Sequence, residues 1–217
     1  MTENQSKWTS TSIPFSQNKP LQFMTIVFIL SFGLMAISPT NRSQWLANSS
    51  ALIAVVLALV FTYKWFRFSN LSYLLMLVFF LLHMYAAHYT YEGTPFDHWL
   101  KISFHTKRSY YDRIVHFAFG LLITFPLLEV LKSKVKLSGA WTYVLPVVVV
   151  LSFSALFEIL EMAAALVAGP SGEAKFVGLQ GDVFDTHKDM ALGLLGGVVF
   201  MCMLAWKWKR KQSTADH

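Results

Sequence analysis

The chain has 217 residues, 55% of them hydrophobic and only 14% charged, which excludes an ordinary soluble domain and leaves room for one compact membrane-embedded unit. Its net charge of +6 does not point to nucleic acid, because the cations sit between apolar runs and not along a basic surface interleaved with aromatics. The lone Cys202 lies inside an apolar run, so no internal disulfide is available.

Six apolar runs, near 21–38, 47–63, 70–89, 112–131, 141–168 and 189–206, have about the 17–25 residues that a helix needs to cross a hydrocarbon core of roughly 30 Å. The expected fold is all-α, a polytopic transmembrane helical bundle of about six spans. A disordered N-terminal tail covers 1–20, a single transmembrane domain 21–208 with outer loops 90–111 and 169–188, and a basic tail 209–217. The first run is full span length and follows a polar tail, so it reads as a retained helix and not a cleaved signal. The fifth run exceeds a minimal span, so Pro146 is expected to mark an irregular first turn or a kink, and Gly169-Pro170 a sharp end.

Basic residues set the orientation. With the N-terminus inside, eleven cations (Lys7, Lys19, Lys64, Arg67, Lys132, Lys134, Lys136, Lys207, Lys209, Arg210, Lys211) face the cytoplasm. Six (Arg42, Lys101, Lys107, Arg108, Lys175, Lys188) face the other side. This bias predicts both termini in the cytoplasm.

In chain order, the first two spans carry no ionisable residue in their apolar cores and read as scaffold. The third ends in Leu82-His83-Met84-Tyr85-Ala86-Ala87-His88-Tyr89. Five residues turn a helix by about 140°, so His83 and His88 do not aim at one point unless the helix unwinds after Ala87; His83 is the inward candidate and His88 the residue of the mouth. Either histidine alone is equally well explained by a hydrogen bond to a backbone carbonyl. The 90–111 loop mixes aromatic and basic residues and reads as interfacial anchor or lid, with Lys107 and Arg108 suited to an anionic head group.

The fourth span opens with Asp112 and His116 at i and i+4, so both side chains reach one point, as metal ligands or as a carboxylate orienting an imidazole. The structural alternative is Asp112 as a cap and His116 bonded to a neighbouring helix. In the fifth span Glu158 and Glu161 share one face with Ser154. An acid at mid-bilayer costs near 3 kcal/mol, so two need a metal, a proton or a cation, with Arg113 or Lys188 as candidates for a plain ion-pair lock. The last span begins with Asp182, Asp185 and Asp189 at spacings of three and four, and Gly193 and Gly197 continue that stripe into the segment. Small residues at i and i+4 permit close helix approach in lipid, so the stripe faces the bundle. Under the expected orientation all four polar clusters fall in the outer half.

His83-Met-Tyr-Ala-Ala-His88, Tyr111-Asp-Arg-Ile-Val-His-Phe117, Glu158-Ile-Leu-Glu161 and Gly181-Asp-Val-Phe-Asp-Thr-His-Lys-Asp189 resemble the YjdF-type inner-membrane proteins of bacteria, over about residues 20–208. That resemblance implies a multi-pass architecture in the bacterial inner membrane and no particular reaction. More distantly, the Asp112/His116 pair, the later acidic helix and the Asp-rich, Gly-rich last span resemble VanZ-like membrane proteins, a family named for glycopeptide-antibiotic resistance. This second likeness implies envelope lipids or cell-wall precursors.

The expected site is a His/Asp/Glu cluster near the outer leaflet, with His83, Asp112, His116, Glu158 and Asp189 around a divalent metal. Imidazole with carboxylate and no thiolate suits Zn, Mn or Fe. The leading reading is metal-dependent hydrolysis of a lipid-linked or envelope substrate, with Glu161 or Asp185 accepting a proton and Lys107, Arg108 and His88 holding the substrate. The competing reading is a non-enzymatic transporter or resistance protein using the same groups for protons or a polar head.

Overall fold

The computed structural model describes residues 8–169, 180 and 182–213. Expectations for residues 1–7 with Lys7, for Pro170, Lys175, Gly178 and Gly181 within the 169–188 loop, and for 214–217 lie outside the described residues. Among the described residues the chain forms seven α-helices and no strand. They are α1 Lys19–Met35, α2 Arg42–Thr62, α3 Asn70–Tyr89, α4 Pro95–Phe104, α5 Tyr111–Val130, α6 Trp141–Ala168 and α7 Asp185–Ser213. This is an all-α polytopic bundle. Five helices, α2, α3, α5, α6 and α7, are long and apolar enough to cross a membrane.

The first of the six apolar runs becomes the shortest, since α1 has 17 residues and measures roughly 25 Å. The helix stops at Met35, Ser38 takes a left-handed φ of 50°, and Pro39, without an N–H, cannot resume it. Pro146 does not delay α6, which starts five residues earlier and runs through it. The far end is as expected: α6 stops at Ala168, and Gly169 leaves the helical conformation at a φ of 71°, open to glycine without a Cβ penalty. α5 ends differently, widening into a π-helical turn at Leu131–Val135 that closes on Lys136.

Packing divides the chain into two compact units, Met1–Val115 and His116–His217. In the first, Leu21, Met24 and Leu77 form a core between α1 and α3, with Phe28 and Tyr73 against it. A second core gathers Ala86, Tyr111 and Val115 under Tyr85 and Phe96. The tail expected to stay disordered to residue 20 is structured before that. Phe15–Gln17 form a 3-10 turn, and the buried Asn18 caps α1 through Leu21 N while its Nδ2 donates to Asn70 Oδ1 at 2.8 Å. The reason is tertiary: two buried amides satisfy each other across 52 residues, which no local polarity count reports.

The 90–111 segment also holds more structure than a loop, because α4 is built into it. Thr94 caps it with Oγ1 accepting from Asp97 N at 3.1 Å, and Pro95 occupies the first turn. The buried Asp97 carboxylate accepts from Thr94 Oγ1 at 2.9 Å, Tyr110 N at 2.6 Å and Tyr111 N at 3.2 Å, so it joins the starts of α4 and α5. Asp97→Ala should therefore strand three donors and cost about 2–4 kcal/mol, read as a fall in thermal unfolding midpoint of the purified chain. Asp97→Asn should recover part of that loss, because its carbonyl oxygen still accepts.

In the second unit glycines set the helix spacing. A Cβ on Gly120 of α5 would strike the backbone carbonyl of Gly193 in α7, and one on Gly196 would strike the carbonyl of Phe117. A Cβ on Gly193 would run into the Ser154 hydroxyl of α6. α5 and α7 thus meet with backbone nearly against backbone, and α6 reaches α7 through the small Ser154 side chain, the small-residue packing that lipid favours.

Candidate functional site

The close approach of α5, α6 and α7 carries their polar side chains together. α5 opens at Tyr111 with Asp112 and His116 one turn apart. The division between units at Val115 cuts this one continuous helix, so the helix that carries His116 also places Asp112. α6 supplies Ser154 and Glu158, again one turn apart, both buried. α7 begins at Asp185, and Asp185, Asp189, Gly193 and Gly197 all lie buried on one face.

One ligand atom from each of Asp112, His116 and Asp189 lies within 4.8 Å of the others. The set is one imidazole nitrogen and two carboxylate oxygens from two helices, hard and borderline donors that fit a divalent cation such as Zn, Mn or Fe. His116 Nε2 is 3.4 Å from Glu158 Oε1, with both side chains under 8% exposed. Phe157 sets its ring edge-on to the His116 imidazole at 5.8 Å between centroids and walls that side with carbon. The Ser154 hydroxyl is buried against Gly193 and has no hydrogen-bond partner among the described residues.

Burial of these acids is costly, at about 3 kcal/mol for each charge carried to mid-span. Part of the compensation is local: Asp185 lies in the first turn of α7 and Asp189 in the second, where the positive end of the helix dipole favours carboxylates. The remainder comes from partner side chains, a proton or a bound cation.

Other expected site residues are placed differently. His83 points its ring into a structural pocket: Nε2 donates to the Asn48 carbonyl at 3.1 Å and Nδ1 accepts from the Tyr91 hydroxyl at 2.5 Å. An imidazole binds metal only through a nitrogen lone pair, and in this arrangement both His83 nitrogens carry hydrogen bonds, apart from the Asp112, His116 and Asp189 set. His88 Nδ1 donates to the Met35 carbonyl at 2.9 Å while the His88 carbonyl accepts from Thr40 N at 2.9 Å, fastening the α1–α2 connection to the end of α3. Lys107 is exposed, and Arg108 Nε donates to Ser109 O at 3.5 Å.

Glu161 is half-buried one turn beyond Glu158. Asp182 is not part of the helical stripe, because α7 starts three residues later. Its Oδ1 accepts from Phe184 N at 3.2 Å, and Lys188 Nζ donates to its Oδ2 at 2.6 Å. Lys188 is thus engaged outside the buried acids, and the Arg113 guanidinium lies 5.6 Å over the Tyr110 ring.

Two residues of consequence were not singled out from the sequence. Asp97 was readable: Thr94-Pro95-Phe96-Asp97 has a capping residue, proline at the first helical position and an acid three residues after the cap. Gly196 adjoins the expected Gly193/Gly197 stripe, but nothing in the spacing says that the contact face is wide enough to include it.

Residues 20–210 match the family described as "Predicted membrane protein (DUF2238)". The chain is 31% identical over 202 residues to the "Inner membrane protein YjdF" of Escherichia coli (strain K12), covering 91% of this chain and 92% of that protein. No solved structure matches. The likeness that is shown is thus to the YjdF-type proteins; the VanZ-like one is not shown.

Proposed function

Since the chain belongs to this membrane-protein family, we propose that it is a multi-pass inner-membrane protein that binds a divalent cation at Asp112, His116 and Asp189 and acts hydrolytically on a lipid-linked substrate. The observation that carries the reading is the convergence of three ligand atoms within 4.8 Å, on helices whose glycines let them approach closely. When bound, such a cation supplies Lewis acidity and lowers the pKa of water toward 7.

The chain's own residues supply the rest. Glu158 orients the His116 imidazole, the carboxylate–histidine relation that tunes a ligand. Asp185, buried one turn before Asp189, accepts a proton, with Glu161 as the alternative acceptor toward the half-exposed end. Phe157 and the apolar flank of α6 exclude bulk water from the imidazole. Lys107, Arg108 and His88 are assigned to the polar head of the substrate by charge and position in the sequence alone.

Proteoliposomes of the wild-type chain given a lipid-linked phosphate ester should release its head group, and a chelator or Asp185→Asn should stop release. Proton flux without any release would favour the transporter reading, in which the same buried acids carry protons. Both termini are assigned to the cytoplasm, so the cluster opens toward the outer leaflet. Reporter fusions at residue 100 should be active outside the membrane and those at residue 135 inside it; the reverse pattern would turn the site to the cytoplasm.

A further inference from the structure

The first unit contains a groove of about 370 Å³ that takes no part in the polar cluster, within the range of roughly 300–1,000 Å³ typical of ligand sites. The start of α1 (Leu21, Met24, Phe28), the end of α2 (Val60, Tyr63) and the start of α3 (Met76) form its walls. Its few polar groups are turned elsewhere. Thr25 Oγ1 donates to the Leu21 carbonyl of its own helix at 2.8 Å, and the Tyr63 hydroxyl donates to Ile13 O at 3.5 Å. The interior therefore offers carbon and asks for carbon.

The rim is different. The Arg67 guanidinium lies 5.3 Å from the centroid of the ring of Tyr63, one of the residues lining the groove. Lys64 follows Tyr63 directly, with Nζ 4.1 Å over the Trp65 ring, and Lys19 precedes Leu21 by two residues. Residues 8–91 contain four cations, Lys19, Arg42, Lys64 and Arg67, and not one Asp or Glu. Three of the four are gathered at the end where the groove lies, with no carboxylate in that stretch to neutralise them.

We propose that this groove binds an acyl chain of an anionic phospholipid, with the phosphate held by Arg67 and Lys64. An apolar slot on helices that cross the bilayer meets lipid tails as its solvent, and a basic rim selects the tail whose head is negative. Arg67 Nη1 donates to Ser12 O at 3.2 Å, which steadies the guanidinium. Its other N–H groups suit a phosphate, and a planar fork reads phosphate oxygens better than an ammonium alone. The proposal does not rest on the metal cluster and stands or falls separately.

The test is native mass spectrometry of the full chain, purified in detergent and exposed to equal amounts of phosphatidylglycerol and phosphatidylcholine. Wild-type protein should retain phosphatidylglycerol preferentially. Lys64→Gln with Arg67→Gln should lower that preference about fivefold per cation removed, roughly 25-fold together. Val60→Trp, or Leu59→Trp if the first is poorly folded by circular dichroism, should fill the slot and lose both lipids. Equal retention of the two lipids by wild type, an unchanged preference in the double variant, or a lipid-free second copy of the chain seated in the groove would each overturn the proposal.

Discussion

A chain carrying Gly120→Val should not reach a stable, monodisperse state in detergent. Its Cβ would meet the carbonyl of Gly193 and lie 2.8 Å from the amide nitrogen of Gly197, and neither is a flexible side chain that can swing aside. Overpacking of a rigid contact costs about 3 kcal/mol or more, comparable with a large share of a domain's stability. Gly196→Val should behave in the same way through the Phe117 carbonyl. Gly33→Ala is the matched control, because a Cβ there meets nothing within 4 Å. It should leave the unfolding midpoint unchanged or raise it, by up to about 1 kcal/mol of helix propensity. If Gly120→Val and Gly33→Ala unfold alike, α5 and α7 do not approach as described, and the cluster that depends on that approach dissolves with it.

The second large effect separates a metal site from a buried ion pair. Glu158 is the group to change, because it touches the imidazole without belonging to the three-atom set. Glu158→Gln keeps the shape and removes the charge. In a metal site this should weaken retention by about 10–100-fold while the chain stays folded. In a simple lock it should instead cost about 1–3 kcal/mol of stability, since the buried imidazole loses its charged hydrogen-bond partner. Replacing His116 and Glu158 together by leucine completes the comparison: a lock tolerates the apolar pair, whereas a metal site loses all retention. Equilibrium metal titration and thermal unfolding on the same samples give both readings.

Much of this arrangement is legible from residue spacing, because a helix converts spacing into direction. Asp185, Asp189, Gly193 and Gly197 recur every four residues and appear as one buried face. Glu158 could be expected inward on cost alone, since a lipid-facing acid at that depth has no compensation. His83 shows where such reasoning stops. It is the inward candidate of its span, but its ring is bonded to the Asn48 carbonyl and the Tyr91 hydroxyl, one from another helix and one from a turn, and no spacing announces those partners. The same holds for Asn18 and Asn70, where a polar tail residue is ordered by a partner 52 positions away. α4 escaped for another reason: at 10 residues it is too short for an apolar run to announce it, and only its capping signals were available.

The central claim is that Asp112, His116 and Asp189 hold a divalent cation, and elemental analysis of the full chain purified without chelators tests it most directly. Zn, Mn and Fe are quantified per folded chain beside Asp189→Asn, which keeps the side-chain volume and removes one ligand charge. The account predicts about one equivalent of one of these metals in wild type, as a closed structural or catalytic site retains, and its loss in a variant that stays folded. Folded wild-type protein with no stoichiometric metal, or an Asp189→Asn variant with the same metal content as wild type, would contradict it.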